Sequence, residues 1–332
     1  MPFPLQRSSR FLVTGGCGAI GSRLIRRLLA DGAERVVAVD DLSSGYEWLL
    51  PADPRIEFIQ ADVCGLLDQG PLLETPTVFH LAAFFANQNS VDYPLADLHT
   101  NARGTLTALL WAKANRARRL VYASAGCSIA GHGVDAPVRE DMPVSLDLDT
   151  PYQITKALGE FYCNYFNREV STVRCRFFNS YGPGEAPGYY RNVIPNFIWR
   201  ALHDRPLVIT GTGDETRDFI FVEDLVDGLA RAADRPAAGG EAFNLGTGIE
   251  TRIGDLAEWV IGACRSASGI EYAPRRKWDH SVHRRANVDK SREILGLEAR
   301  TGVTEGIGRT IEWFLEHKEQ IERLAAARAV AV

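Results

Sequence analysis

The glycine-rich stretch near the N-terminus constrains the fold of this chain more than any other feature. Thr14-Gly15-Gly16-Cys17-Gly18-Ala19-Ile20-Gly21 follows the apolar run Phe11-Leu12-Val13 and opens a segment with apolar residues at helical spacing. Between a strand and a helix, such a loop lets backbone N–H groups approach a pyrophosphate at the helix N-terminus. The stretch therefore predicts a dinucleotide-binding α/β fold. The predicted cofactor contacts are Gly15, Gly18, Ala19, Ile20 and Gly21.

Continuous apolar runs follow this loop and alternate with helical patterns. Runs of this kind are typical of strands buried on both faces, and their alternation with helices indicates right-handed crossovers. We predict a Rossmann-type, doubly wound parallel sheet in an NAD-binding domain over residues 1–180. A smaller, mainly substrate-binding lobe is expected over 181–332, with some segments returning to the core. The predicted strands are 11–13, 36–39, 56–59, 78–81, 120–123 and 171–178, and helices are expected at 95–114 and 151–168, with a frayed tail at 324–332.

Composition excludes several classes of protein. The chain has 332 residues and a formal net charge of -5, which gives no electrostatic attraction to nucleic acid or anionic membranes. No apolar run approaches the roughly 18–20 residues of a membrane span, and the first residues lack the apolar stretch of a signal peptide. The six cysteines form no CxxC pair, which favours free thiols over a disulfide framework or a metal site. We therefore expect a cytoplasmic enzyme without a metal.

The second predicted strand ends in an acidic residue whose spacing from the glycine loop is informative. Asp40 lies 19 residues beyond Gly21, close to the spacing expected of a ribose-binding carboxylate. A carboxylate there accepts hydrogen bonds from the ribose hydroxyls of NAD and repels the 2′-phosphate of NADP. The sequence therefore predicts NAD as the cofactor.

Tyr152 and Lys156 stand four residues apart, on one face of a predicted helix. A tyrosine pKa near 10 is too high for a general base at neutral pH. A nearby ammonium and the cationic nicotinamide ring would lower it by stabilising the phenolate. Tyr152 could then take a hydroxyl proton while hydride leaves the same carbon.

Several segments, in this order along the chain, resemble the extended short-chain dehydrogenases/reductases of the NAD-dependent nucleotide-sugar epimerase/dehydratase family. They include TGGCGAIG at 14–21, HLAA at 80–83, PYQITK at 151–156, RFFNSYGPG at 176–184 and TRDFIFVEDL at 216–225. The resemblance covers about residues 10–316. It is specific for the family and says little about the sugar.

The resemblance implies roles for further residues. Tyr152 and Lys156 would be the catalytic pair, with Lys156 also at the nicotinamide ribose. The other implied cofactor contacts are Asp62, Val63, Leu81, Ala82, Ala83, Asn101 and Phe178. The implied substrate contacts are Asn179, Asn192 and Val193, with Arg217 and Arg285 at the diphosphate. Arginine suits that position because its planar fork matches phosphate oxygens.

One segment departs from the family pattern. The family carries a Ser or Thr five residues before a glycine, and alignment on Gly131 places Gly126 at that position. Cys127 and Ser128 then stand where the family's 4,6-dehydratases carry their acid and base. A shift of one residue instead puts Cys127 at the Ser/Thr position, and Ser124 or Ser128 could substitute. Cys127 as a packed small apolar residue is a further alternative.

These observations leave three functions open. The first is epimerisation at C4 of a UDP-hexose or UDP-hexuronate through a transient 4-keto sugar, with the nucleotide-diphosphate sugar as the substrate. The second is 4,6- or 5,6-elimination by a dehydratase in which Cys127 is the acid or base. The third is a non-catalytic NAD-binding module, which would need neither Tyr152 nor Lys156. A symmetric homodimer is expected through helices 95–114 and 151–168, with apolar surface from Leu98, Leu106, Leu109, Phe161 and Tyr165.

Overall fold

The structure is a computed structural model that describes residues 9–74, 76–126 and 137–327. Within these residues the strands occupy short segments throughout the chain. They are β1 (Arg10–Thr14), β2 (Arg35–Asp40), β3 (Ile56–Gln60), β4 (Thr77–His80), β5 (Arg119–Ala125), β6 (Ser171–Phe177), β7 (Asn179–Tyr181), β8 (Leu207–Thr210), β9 (Thr216–Arg217), β10 (Phe219–Phe221), β11 (Ala242–Leu245), β12 (Thr251–Arg252) and β13 (Ile270–Ala273).

Seven of these strands form one parallel sheet, in the order β11-β6-β5-β4-β1-β2-β3. The remaining strands pair two by two, β7 with β10, β8 with β13 and β9 with β12. The order reverses at β1, so the predicted Rossmann-type α/β sheet is confirmed. Ligands of such sheets bind beyond the carboxyl ends of the strands.

Helices cover both faces of the sheet and build the C-terminal part of the molecule. They are α1 (Ala19–Ala30), α2 (Asn87–Asp92), α3 (Pro94–Asp97), α4 (Gly104–Ala114), α5 (Pro151–Phe166), α6 (Val193–Leu202), α7 (Val222–Asp234), α8 (Ile253–Cys264), α9 (Val303–Glu316) and α10 (Lys318–Ala327). Helices α1 and α7 pack together on one face, and α4 and α5 on the other. A separate apolar core joins α6, α8, α9 and α10. No helix in the described part of the chain is long and apolar enough to cross a membrane.

Two segments differ from the sequence-based expectation. The predicted helix 95–114 is interrupted by a π-helical turn, Leu98–Arg103, between α3 and α4. Such turns often occur at functional sites, and this one carries the buried Asn101. The prediction of a fraying tail was wrong for residues 324–327, because α10 buries Ile321 and Ala325 against the C-terminal core. Alanine favours helix once one face of the segment has something to pack against.

The outer surface of α3, α4 and α5 is partly apolar. Helix α5 exposes Ile154, Phe161 and Tyr165, which recur at helical spacing, and the neighbouring segment exposes Leu95 and Leu98. The sequence-based expectation was wrong for Leu109, which is fully buried between α4 and the sheet. Periodicity identifies an apolar stripe, but a helix on a sheet buries one of its stripes internally.

Candidate active site

The glycine loop is held in place by close backbone contacts that exclude side chains. Gly15 has a positive φ of 72°, and an added Cβ would lie 2.7 Å from the backbone nitrogen of Ala82. A Cβ on Gly21 would overlap the carbonyl oxygen of Gly15. Gly18 caps α1 with no side-chain hydrogen bond, so the N–H groups at this helix end have no capping side chain in the described part of the chain. The cradle therefore fits a pyrophosphate, which backbone N–H groups and the helix dipole favour.

Asp40 ends β2 beside this cradle and organises the loop around it. Its Oδ2 accepts a hydrogen bond from the Cys17 backbone nitrogen at 3.0 Å, and its Oδ1 accepts one from that of Leu42 at 2.9 Å. Burial raises the pKa of this carboxyl group, and these two backbone hydrogen bonds oppose the shift. Each carboxylate oxygen can accept more than one hydrogen bond, so Asp40 retains capacity for the hydroxyls of a ribose.

The loop after β4 runs along the glycine loop and is clamped by Asn101. The amide of Asn101 accepts from the backbone nitrogen of Phe84 at 2.9 Å and donates to its carbonyl at 3.1 Å. A Cβ on Gly15 would also overlap backbone atoms of Leu81 and Ala82, so this part of the predicted segment 81–83 packs against the glycine loop. Asn101 therefore supports this wall of the cofactor site by holding its backbone.

Asp62 and Val63 lie farther along the same edge of the sheet, where Asp62 caps a 3-10 turn that begins at Val63. Asp62 accepts from the Cys64 backbone nitrogen and makes a 2.8 Å hydrogen bond with His99 Nε2. The potential ligand atoms of Asp62, Cys64 and His99 lie within 4.8 Å of one another. Capping and hydrogen bonding account for this grouping, which lies where the resemblance puts the adenine.

Tyr152 occupies the first turn of α5, whose start is well defined. Thr150 caps the helix by accepting from the Gln153 backbone nitrogen, and Pro151 follows at the first helical position. The Tyr152 backbone nitrogen donates to Ser90 Oγ at 3.0 Å. These contacts position the phenol ring, and Lys156 Nζ lies 5.7 Å from its centroid.

Lys156 is almost completely buried, and its ammonium donates to the Ala123 carbonyl oxygen at 2.9 Å. Burial lowers its pKa to about 8, and the nearby carboxylate of Asp97 opposes this shift. Asp97 accepts from Thr155 Oγ1 at 2.8 Å and from Asn101 Nδ2 at 2.5 Å. Sequence reasoning missed Asp97; its only signal was an acidic residue four positions before Asn101 in the same predicted helix.

His80 lies at the end of β4, fully buried under the site. Its two ring nitrogens face Thr14 Oγ1 at 2.8 Å and Thr105 Oγ1 at 2.9 Å. Burial lowers its pKa to about 3, and the charge of Lys156 adds to the effect. The ring is therefore neutral at physiological pH and links strand β1 to helix α4.

The segment that departs from the family pattern is only partly described. Ser124 Oγ donates to Glu160 Oε1 at 2.6 Å, and Glu160 forms a buried two-point ion pair with Arg176. A Cβ on Gly126 would overlap the Phe178 ring, which explains why a glycine stands there. Cys127 and Ser128 lie outside the described residues.

The predicted substrate residues lie on the C-terminal side of the site. Asn179 Oδ1 is buried and has no hydrogen-bond partner among the described residues. Asn192, just before Val193 at the start of α6, donates twice to Glu185, once from its backbone and once from its side chain, both at 3.2 Å. Glu185 is itself buried, and burial raises its pKa.

Arg217 belongs to a cluster of charged side chains. Its guanidinium donates to the carbonyl oxygen of Thr216 and to Asp279 Oδ2, the latter at 3.0 Å. Arg275 and Arg284 each place Nη2 at 3.9 Å from the other oxygen of Asp279. Sequence reasoning placed the second arginine at 285, whereas the buried side chain in this cluster is that of its neighbour Arg284.

Asp218, next to Arg217, fixes the loops around this cluster. It is fully buried and accepts from the backbone nitrogens of Thr247, Gly248 and Ala286 and from the Thr247 hydroxyl. Burial raises its pKa, and these hydrogen bonds oppose the shift. Sequence reasoning missed this residue because the positions it anchors are distant in sequence.

Comparison with known proteins gives consistent matches. The profile described as the NAD dependent epimerase/dehydratase family matches residues 11–246. The chain is 39% identical over 313 residues to a UDP-glucose 4-epimerase of Mycolicibacterium smegmatis, covering 92% of this chain and 98% of that protein.

Two solved structures superpose closely on this chain. An epimerase from Methanothermobacter thermautotrophicus is 44% identical, with a TM-score of 0.90 and 95% of each chain covered. The Bordetella bronchiseptica enzyme WbmF, in complex with NAD+ and UDP, is 34% identical, with a TM-score of 0.83 and 98% of each chain covered. The glycine loop, the carboxylate of Asp40 beside it and these matches lead to one conclusion. This chain belongs to the NAD dependent epimerase/dehydratase family, and its cofactor is NAD.

Proposed function

We propose that this enzyme is a nucleotide-sugar epimerase that inverts C4 of a UDP-hexose or UDP-hexuronate. The observation that carries the proposal is the placement of Tyr152 and Lys156 beside a cradle that fits a dinucleotide. The arginine cluster around Asp279 supplies positive charge for a diphosphate on the other side of the cleft. The similarity to the M. smegmatis UDP-glucose 4-epimerase supports the same substrate class.

In this mechanism the protein moves one proton and holds the sugar. Tyr152, as a phenolate stabilised by the Lys156 ammonium, takes the proton of the 4-hydroxyl group. NAD held by the glycine loop and Asp40 would supply the hydride acceptor at C4 and the hydride donor on the opposite face of the sugar. Tyr152 then gives its proton back to the C4 oxygen, while the arginine cluster keeps the diphosphate anchored as the sugar turns. A non-catalytic NAD-binding module is disfavoured, because binding NAD alone would not need the buried Lys156 beside Tyr152.

We propose that the hydroxyl or thiol group that acts together with Tyr152 comes from the segment after β5. Ser124 is a weaker candidate than the sequence suggested, because its hydroxyl donates into the Glu160–Arg176 ion pair. Ser128 and Cys127 remain candidates. The alternative function, elimination by a dehydratase, requires Cys127 to act as the acid or base at C5 or C6.

A panel of UDP-, GDP-, CDP- and dTDP-sugars in deuterated water tests the proposal. A C4 epimer without deuterium supports it. Deuterium at C5 or loss of water would favour the dehydratase. A 4-keto hexuronate is a β-keto acid, so release of CO2 from UDP-hexuronate would instead identify a decarboxylase.

Cys127→Ser separates the epimerase from the dehydratase. A serine hydroxyl ionises far less readily than a thiol, so an acid or base at this position would lose most of its activity. We expect a small change in rate. A variant that accumulates reduced cofactor and a 4-keto sugar would contradict the epimerase proposal.

We also propose that the enzyme is a homodimer that pairs through α3–α4 and α5. The exposed Leu98, Phe161 and Tyr165 would be covered by the same residues of a second copy. Light scattering at micromolar concentration should give twice the chain mass. Phe161→Glu should produce a monomer, and a wild-type monomer would contradict the proposal.

A further inference from the structure

The arginine cluster already contains an anion supplied by the protein. Asp279 faces Arg217, Arg275 and Arg284, and its side chain is only 19% exposed. Burial acts to raise the pKa of the nearby Glu215 carboxyl, but backbone hydrogen bonds outweigh it and hold that pKa below its ordinary value, and the charge of Arg275 adds to them. In the ion pairs of this cluster, three guanidinium groups thus face the single carboxylate of Asp279.

Hydrogen bonding in the cluster is incomplete. Asp279 Oδ1, Arg275 Nε and Arg284 Nε are all buried and have no hydrogen-bond partner in the described part of the chain. Buried groups in this state cost free energy, and charged ones cost more than neutral ones. In this cluster Asp279 is at hydrogen-bond distance from Arg217 but 3.9 Å from Arg275 and Arg284, whereas a diphosphate offers more oxygens over a longer span. The cluster is therefore better matched to a larger anion than to the one it holds.

The segment that carries Asp279 crosses the cleft toward the catalytic helix. Trp278 Nε1 donates to Gln88 Oε1 at 2.8 Å, and His280 Nδ1 lies 2.6 Å from Asp149 Oδ1. Asp149 immediately precedes Thr150, the cap of α5. Both neighbours of Asp279 are thus attached to the NAD-binding side of the molecule, so the carboxylate is held at the arginines without a ligand.

We propose that Asp279 occupies the anion site of Arg217, Arg275 and Arg284 as an internal competitor, which the diphosphate of the substrate displaces. This inference rests on the proposed function, since it assumes a nucleotide-diphosphate ligand. Asp279 then weakens binding of substrate and product alike and speeds product release. Replacing Asp279 by a neutral residue removes one negative charge from the site and leaves the three arginines to the ligand.

Asp279→Asn in the NAD-loaded protein tests the inference, because asparagine keeps the size of the side chain and removes its charge. We expect UDP to bind about three- to tenfold more tightly by calorimetry, as one added net charge at close range would produce. The affinity should also fall more steeply with salt than in the wild type, because the site carries more positive charge. A role confined to folding would leave the salt dependence unchanged.

Asp53→Asn is the matched control. Asp53 also pairs with an arginine, Arg55, but it precedes β3, at the edge of the sheet opposite to the site. The Asp53→Asn variant should keep the wild-type UDP affinity and the wild-type salt dependence of that affinity. Unchanged or weaker UDP binding by Asp279→Asn would overturn the inference and make Asp279 a residue that positions Arg217.

Two further measurements keep the outcomes distinct. If the wild type does not bind UDP, the proposed substrate class fails, and inorganic pyrophosphate is used to judge the inference alone. Pyrophosphate should bind Asp279→Asn more tightly than wild type, and equal or absent binding overturns the inference. If Asp279→Asn loses its NAD or melts early, Asp279→Ser takes its place with the same expectations.

Discussion

The two walls that we propose for the ligand site, the NAD cradle and the arginine cluster, are built by different physical means. The NAD wall is made of backbone approaching backbone, as where Gly15 meets Ala82 and Gly21 meets Gly15. The wall proposed for the diphosphate is made of long charged side chains, Arg217, Arg275 and Arg284, that meet around one carboxylate. The first should be sensitive to added atoms and insensitive to salt. The second should be sensitive to charge and salt.

Tyr152→Phe gives the largest expected effect and leaves both walls in place. Turnover should fall by about 10²–10⁴-fold, the usual contribution of a positioned general base. Bound NAD after purification and UDP affinity should match the wild type. Tyr272→Phe, at an exposed position of β13, is the control and should keep full activity. Activity within a fewfold of wild type would remove Tyr152 from the proposed mechanism.

Arg217→Ala tests the charged wall. Hydrogen bonds to charged groups contribute about 1.5–3 kcal/mol, so UDP should bind about 10- to 100-fold more weakly. NAD content should not change, because Arg217 lies on the other wall. The measurement is UDP calorimetry combined with absorbance of the released cofactor. Loss of NAD from this variant would show that the two walls are not independent.

Gly21→Ala tests the backbone wall. The added Cβ overlaps the Gly15 carbonyl oxygen, and overpacking of this kind typically costs about 1–3 kcal/mol of stability. We expect a lower melting temperature and protein that purifies with little NAD. Gly308→Ala, in helix α9 with no atom near the added carbon, should be as stable as the wild type or slightly more so. Equal NAD retention in both variants would contradict the account of the cradle.

His80→Gln tests how the stability of the folded protein depends on pH. The folded protein keeps His80 neutral because burial lowers its pKa to about 3, below the ordinary 6.5. The unfolded chain therefore binds one more proton between these pH values, and stability falls as pH drops from about 6.5 toward 3. The slope due to this residue is at most about 1.4 kcal/mol per pH unit.

Glutamine can still bridge Thr14 and Thr105 but does not titrate. Urea unfolding at pH 4, 5, 6 and 7 should show a shallower loss of stability in the variant. Parallel curves for the two proteins would mean that the acid sensitivity arises elsewhere, for example from carboxylates of the charged wall.

Local features were predictable because their meaning depends on near neighbours in the chain. The glycine loop, Asp40 at the end of β2 and the pair Tyr152 and Lys156 each follow from spacing, since a strand–turn–helix unit places them whatever surrounds it. The fold class followed for the same reason. Continuous apolar runs alternating with helices leave few topologies other than a doubly wound sheet.

Only the tertiary structure decided which distant groups meet. Asp279 comes within reach of Arg217 because the segment after β13 folds back beside β9, and no spacing in the sequence encodes that contact. For a related reason the prediction was wrong for Leu109, and Ser124 is a weaker candidate than the sequence suggested. A serine hydroxyl turns toward whatever acceptor packs against it, here Glu160, and an apolar stripe does not specify whether a sheet or a second copy covers it. Sequence determines the chemistry each side chain offers, but burial and long-range packing determine which of it is used.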